Sequence, residues 1–259
     1  MSWSEVTPIG LSAPARRRNA KRKRMRLLAW NIRQGGGTRL AAIAAALARH
    51  EADVLVISEY RGGDSGLRLR SALAALGYRH ISAAAPPPGG NGVLIAARLP
   101  LIEEPLFSAD LPEPYRLVAV EIRGVLLCGV YMPNLAKKVP YWQRLIDGLA
   151  DHAGRAALAV GDFNTCRAYL DEAGAIDATA HFMDKIEAIG FRDLWRQRNP
   201  ETREFSWYST RGNGFRIDHA FLSAALAARA GPIRYSHDER LAGLSDHSPL
   251  ILEVNAVST

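Results

Sequence analysis

The sequence predicts a layered α/β sandwich, two β-sheets packed together with helices outside. Three observations carry this. Short apolar runs of strand length are interleaved with segments whose apolar residues recur at helical spacing. Some strand runs come as close pairs, while helices separate others. At 259 residues the chain is long enough for one large domain with a real core, and no internal repeat divides it.

The elements follow in order. Residues 1–24 hold Pro, Ser and charge without periodicity, so a disordered basic N-terminal tail is expected there, with a single domain over 25–259. Met25 stands as a candidate alternative start, because ordered sequence begins after it. LLAW (27–30) reads as a short strand. Thr38 is placed to cap a helix over 40–50. DVLVIS (53–58) is a buried strand, 67–76 a helix ended by Gly77, and GVLIAAR (92–98) a strand after a Pro/Gly loop. Strands are expected at 117–122 and 125–131, a helix at 139–150, and a strand at 157–160 running into GDFN. A helix over 180–189 and strands at FRIDHAF (215–221) and PLILEV (249–254) complete the list.

Charge is unevenly placed. The formal net charge is +7, from 33 basic and 26 acidic residues. Residues 16–26 alone hold eight of the basic ones, and Glu5 is the only acidic residue up to position 26, which leaves residues 27–259 with 25 of each sign. The body is neutral; the excess that would favour a polyanion sits in the tail. The two cysteines, Cys128 and Cys166, form no CxxC and no disulfide framework, as expected of inert thiols in a reducing compartment. No apolar run reaches the roughly 20 residues that span a bilayer, and no apolar h-region follows the basic block. A soluble cytoplasmic protein is expected.

The chemistry lies at strand ends. Apolar runs stop at a polar residue again and again: Asn31 after LLAW, Glu59 after DVLVIS, Tyr131 after LLCGV, and Asp162 and Asn164 after ALAVG. Later, Asp218 sits in GFRIDHAF, and Asp246 and His247 precede PLILEV. Taken singly, each is as well read as a turn, cap, ion-pair or surface residue. Jointly they are a costly set to bury, because clustered carboxylates repel unless a cation or proton neutralises them. Oxygen ligands without a Cys cluster favour Mg²⁺ or Mn²⁺ over zinc. A hard cation beside a His and further carboxylates is what phosphate-ester hydrolysis requires.

The series WNI (30–32), SEY (58–60), GVYMPN (129–134), GDFN (161–164), FSWYS…GFRIDHAF (205–221) and SDHSP (245–249) resembles the endonuclease/exonuclease/phosphatase superfamily. Its late blocks look most like the exonuclease III/AP-endonuclease branch. The resemblance spans about residues 26–255. It implies a four-layered α/β sandwich, two packed mixed β-sheets flanked by helices, with a divalent-metal phosphoesterase site. Carried over, Glu59 is the main metal ligand, with Asn31 and Asp246 completing the metal environment. Asp162 positions or deprotonates the attacking water. Asn164 and Tyr131 hold phosphate oxygens. His247 contacts the phosphoryl group, kept basic by Asp218. Asn134, Trp207 and Arg216 are candidate substrate contacts, with Arg33 a further phosphate candidate. The run Ser58-Glu59-Tyr60-Arg61 lacks the Lys of the repair enzymes' Gln-Glu-x-Lys, so the resemblance extends to the hydrolytic core and not to abasic-site specificity.

The leading expectation is a monomeric Mg²⁺- or Mn²⁺-dependent DNA endo- or exonuclease, favoured by the late motifs and the basic tail. The alternative is a phosphatase or phosphodiesterase acting with the same site on a small molecule, a lipid headgroup or RNA. A non-catalytic binding module is the third reading.

Overall fold

In the computed structural model, residues 24–107, 111–174 and 177–255 are described. The tail expected over 1–24 lies outside them except for Arg24, which opens the first strand. No helix among the described residues is long and apolar enough to cross a membrane.

The first sheet is built from β1 (Arg24–Asn31), β2 (Val54–Tyr60), β3 (His80–Ser82) and β4 (Gly92–Ala97). The second holds β5 (Ile102–Glu104), β6 (Leu117–Ile122), β7 (Val125–Tyr131), β8 (Ala157–Asp162) and β9 (Phe191–Asp193). A two-residue ribbon joins β10 (Trp207–Tyr208) to β11 (Gly214–Phe215). β12 (Asp218–Ser223) returns to the second sheet, and β13 (Ala230–Tyr235) and β14 (Leu250–Asn255) to the first. The orders are β13-β14-β1-β2-β4-β3 and β5-β6-β7-β8-β12-β9. In both, one parallel pair lies at the centre, β1 with β2 and β7 with β8, and every other neighbour is antiparallel.

The layers follow from alternation along the strands. In β1, Leu27 and Ala29 face the layer between the sheets, meeting Val56, Ile95, Val120 and Leu158. Leu28 and Trp30 face the other way, onto helices α1 (Leu40–His50) and α2 (Gly63–Ala75), which cover them with Ile43, Leu47, Leu69 and Leu73. The second sheet is covered by α3 (Val139–Ala150) and α4 (His181–Ala188) through Trp142, Leu145, Phe182 and Ile186. Each such buried side chain contributes roughly 1.5–3 kcal/mol. The result is helix, sheet, sheet, helix: the four-layered sandwich expected from the sequence.

Three local expectations are corrected. Thr38 does not cap α1; it lies inside a 3₁₀ stretch, Gln34–Arg39, and the residue before the helix is Arg39. FRIDHAF is not one strand: Phe215 ends β11 and Asp218 begins β12, because Arg216 turns into the interior between them. The strand ending in GDFN runs to Asp162 rather than stopping at 160.

Candidate active site

The two parallel pairs dictate where the polar strand ends go. Parallel neighbours share their C-terminal edge, so each pair delivers two strand ends to one rim. From the first sheet come Asn31, level with Ser58, and then Glu59; from the second come Tyr131 and Asp162, level with each other. Asp218, antiparallel to Asp162 and paired with it, starts β12 at the same edge. Asn31 ties the sheets together: its Nδ2 donates to Glu59 Oε1 at 3.2 Å and to Asp162 Oδ2 at 2.9 Å.

Local backbone aims these groups. Glu59 sits at a break in the β2–β4 register with φ of +57°, a left-handed conformation that strains a non-glycine residue and swings its carboxylate out of the ladder. Gln34 N–H donates to Glu59 Oε2 at 2.6 Å, from the glycine-rich loop after β1. In GDFN, Phe163 is buried against Trp142 and Phe221, which leaves its neighbours Asp162 and Asn164 facing the rim. Asn164 N–H caps Asp162 Oδ1 at 2.9 Å, and its side-chain amide donates to the Met132 carbonyl at 2.7 Å. The SDH loop is pinned by Ser245 Oγ donating to the Asn31 carbonyl at 2.6 Å and by Trp30 Nε1 donating to the His247 carbonyl at 2.9 Å. There His247 Nδ1 meets Asp218 Oδ2 at 2.9 Å, and its Nε2 lies 3.9 Å from Asp162 Oδ2. Trp207 Nε1 donates to Asp246 Oδ2 at 3.1 Å.

The groups share a cleft of about 590 Å³, walled by Glu59, Tyr131, Asn134, Asp162, Asn164, Trp207, Asp246 and His247 together with Lys138 and Asp177. Burial pushes the Asp162 carboxyl up from its usual range, with Asp218 adding to the shift and His247 opposing it. Burial alone would lower His247, but the carboxylates of Asp218 and Asp162 outweigh it and hold the imidazole proton up to about 10. Burial, with Glu59 and Asp162 nearby, raises Tyr131, so its hydroxyl is a neutral donor. Both thiols are buried and pushed up, Cys166 to about 12.

The structure brings together ten of the eleven expected side chains. Eight of them line the cleft, Asn31 hydrogen-bonds two of these, and Asp218 stands behind His247. Arg216 is the exception. It is fully buried, with Nε on Asp171 at 2.8 Å and Nη2 on Asp193 at 2.7 Å, so the expected substrate contact is corrected to an internal ion pair. Sequence reasoning missed Lys138, Asp177 and Arg116, whose guanidinium lies 4.6 Å over the Tyr131 ring. Lys138 follows GVYMPN by four residues, the one signal that pointed to it.

Two donor groups suit a cation. One is Glu59 and Asp246 on the cleft wall, with Asn31 behind Glu59. The other is Asp162, Asp218 and His247, whose ligand atoms lie within 4.8 Å of one another. In the second group Asp218 and His247 already satisfy each other. The first offers carboxylate oxygens held by N–H donors, from Asn31 and Gln34 to Glu59 and from Trp207 to Asp246.

A cleft of this kind, clustered carboxylates with an Asp–His pair at the C-terminal edges of two packed sheets, defines a hydrolase acting on phosphoesters. A profile described as the Endonuclease/Exonuclease/phosphatase family matches residues 28–247, and the chain belongs to that family. Solved structures similar to the chain include AP endonucleases and a 3'-5' exonuclease. A 3'-5' exonuclease (NExo) from Neisseria meningitidis aligns with a TM-score of 0.77 and 26% identity, over 89% of this chain and 100% of that one. A substituted form of the 3' phosphatase NExo from Neisseria, bound to a product DNA hairpin, gives 0.75 and 25% over 89% and 99%. An AP endonuclease from Archaeoglobus fulgidus gives 0.78 and 22% over 90% and 100%, a likeness of fold. No curated protein matches by sequence.

Proposed function

We propose that the protein is a divalent-metal-dependent DNA hydrolase that cleaves phosphoesters in or at the end of a DNA strand. The single observation that carries this is the bridge from Asn31 to both Glu59 and Asp162, which sets a metal-type carboxylate and a base-type carboxylate on one amide. The named activities of the two Neisseria structures support DNA as the polymer.

Glu59, Asn31 and Asp246 would hold Mg²⁺ or Mn²⁺, which when bound neutralises phosphate charge and polarises the phosphorus–oxygen bond. Asp162 takes the proton of the attacking water; two donors, Asn31 Nδ2 and Asn164 N–H, orient its carboxylate. His247, charged and fixed by Asp218, contacts a phosphoryl oxygen through Nε2. The Asn164 amide and the Tyr131 hydroxyl supply further donors to the pentacoordinate transition state. Asn134 and Trp207, on the cleft wall, contact the flanking nucleotide.

The test is turnover by the purified protein on a panel: DNA with a 3'-phosphate, DNA with a recessed 3'-hydroxyl, abasic duplex, RNA and a small phosphomonoester. DNA cleavage that EDTA abolishes and Mg²⁺ restores is expected. Turnover of RNA or the small ester with DNA inert would replace this reading with the small-phosphoester or RNA one, which the neutral charge of residues 27–259 favours.

A further inference from the structure

Lys138 ends the short 3₁₀ turn Leu135–Lys138 that follows the strand end carrying Tyr131 and the loop carrying Asn134. It is only 3% exposed, yet it lines the cleft. Its Nζ donates to the main-chain carbonyl of Asn164 and to Asp177 Oδ2, the latter at 3.1 Å. The other oxygen of Asp177 accepts from Thr179 N–H at 2.8 Å and from Thr179 Oγ1 at 2.6 Å. Burial works against the charge on Asp177, but these Thr179 donors and the ammonium hold its carboxyl below the usual range. The ammonium is thus fixed from two sides.

The fixed point matters because of what Asn164 does. Its φ of +47° is left-handed, a conformation Asn adopts more readily than most residues, and the bonds around it fix the turn after Asp162. Its N–H orients Asp162, and its side-chain amide reaches back to the carbonyl of Met132. With the Lys138 bond to the Asn164 carbonyl, two side-chain cross-links join the 131–138 segment to the 162–164 turn, beside the main-chain bond from Met132 N–H to the Asp162 carbonyl. A neutral donor could bond a carbonyl without the desolvation cost of a buried ammonium. A charged pair in this place keeps the cross-link closed in a cleft that must admit water and a polyanion.

We infer that Lys138 is a positioning residue for phosphoester hydrolysis. It locks the Asn164 carbonyl so that the Asn164 amide and the Asp162 carboxylate hold one relative placement against the phosphoryl group, with Asp177 as the counter-ion that keeps it there. This rests on the hydrolase reading proposed above.

The experiment compares wild type, Lys138→Met, Asp177→Asn, Asn164→Ala and the double variant Lys138→Met/Asn164→Ala. In the full-length protein, Lys138→Met should lower kcat on DNA by about 10- to 100-fold with KM within about twofold, the scale of a small misplacement of reacting groups. Asp177→Asn, the milder change, should shift kcat the same way. In the Asn164→Ala background, Lys138→Met should cost less than in wild type, since the side-chain amide it positions is gone while the Asn164 N–H on Asp162 remains. Equal kcat in Lys138→Met, or multiplicative losses in the double variant, overturns the inference. Amide hydrogen exchange gives an answer independent of turnover: both single variants at the latch should speed exchange at 162–165 and 134–138 while the melting temperature moves little. Unchanged exchange there overturns the latch even if wild type turns over no DNA, an outcome that by itself rejects only the DNA-hydrolase reading.

Discussion

His247 Nδ1 stands 2.9 Å from Asp218 Oδ2, and the two residues come from different sheets: Asp218 opens β12, and His247 lies three residues before β14. The Asp218 main chain is anchored on both sides. Tyr235 Oη donates to the Asp218 carbonyl at 2.6 Å, and the Asp218 N–H donates to Ser206 Oγ at 3.2 Å. The Asp218 carboxylate can only accept, so Nδ1 carries a proton and Nε2 is the nitrogen left to face the reacting group.

The first prediction is a pH profile. Burial would lower the imidazole, but Asp218 and Asp162 together hold its proton up to about 10, so the imidazolium persists through neutral pH and is lost only as pH nears that value. Asp218→Asn removes the largest of the negative contributions. The alkaline limb of kcat/KM should therefore move to lower pH, and kcat at pH 7 should fall by about 10²-fold or more. An alkaline limb that superimposes on wild type would reject the role given to Asp218.

Asp162 sets activity against stability. A carboxyl raised by burial costs stability once pH passes its unfolded value of about 3.9, and the cost is complete above the folded one. Asp162→Asn removes that cost along with the base. It should lower kcat by about 10²–10⁴-fold. In metal-free buffer it should melt above wild type at pH 7 and level with it near pH 4. Paired melting curves and rates at the two pH values check this; a lower melting temperature at pH 7 contradicts it.

Metal binding has a readout that needs no substrate. A ligand bound by the folded state alone raises the melting temperature by linkage, about 2.7 kcal/mol at 100 times Kd. Mg²⁺ or Mn²⁺ should stabilise wild type, and Glu59→Gln should remove most of that gain. If Asp218→Asn removes it and Glu59→Gln does not, the cation sits instead among Asp162, Asp218 and His247.

How far the sequence carried depends on the range of the signal. β6, β7 and α3 fall where the periodicity placed them, because each buries a continuous or 3.6-spaced apolar set. Asn31, Glu59 and Asp162 were legible as polar stops to apolar strands. β13 was not: it is an edge strand containing Pro232 and a register shift between Ala230 and Ile233. Arg216 was misread because its partners, Asp171 and Asp193, lie 45 and 23 positions away, with nothing local to announce them. Lys138 sits in a Lys pair that looks like solvated surface, and only the tertiary fold turns it inward.

The Arg216 network is predicted to act on stability. Asp193 and Asp171 are both held below the usual carboxylate range although burial opposes it, chiefly by Arg216. Their contribution is present above about pH 3.9, the unfolded value, and is lost as pH falls toward the folded ones. Arg216→Met takes a shared counter-ion from two buried carboxylates, leaving Asp171 with Arg196 at 2.7 Å and Asp193 without its guanidinium, and should cost about 3–5 kcal/mol in urea melts at pH 7. Adding Asp193→Asn should recover part of it. Well below the melting temperature, KM for DNA should stay near wild type. A large rise in KM without loss of stability would restore Arg216 as a substrate contact.

Gly161 is the most exacting position in the GDFN turn. Its φ is +143°, and a Cβ there would lie 2.1 Å from the Val130 carbonyl oxygen. The obstacle is backbone of β7, level with Gly161 in the parallel ladder, so no side chain can move to make room. Relief requires prying β7 from β8, and the next residues along those strands are Tyr131 and Asp162. Gly129 provides the contrast in the same strand pair. A Cβ there would meet Val56 Cγ1 at 3.1 Å and Ile95 Cδ1 at 3.2 Å, both side-chain atoms that can shift. Gly129→Ala should therefore cost about 1–3 kcal/mol, as overpacking does, and keep its kcat when assayed cold. Gly161→Ala should cost more and lose kcat at every temperature where it remains folded, because the strain is released through the two strand ends that carry the chemistry. Urea melts with rates measured on the folded fraction separate the two cases, and a folded Gly161→Ala with wild-type kcat would show that the β7–β8 edge does not set the geometry of the site.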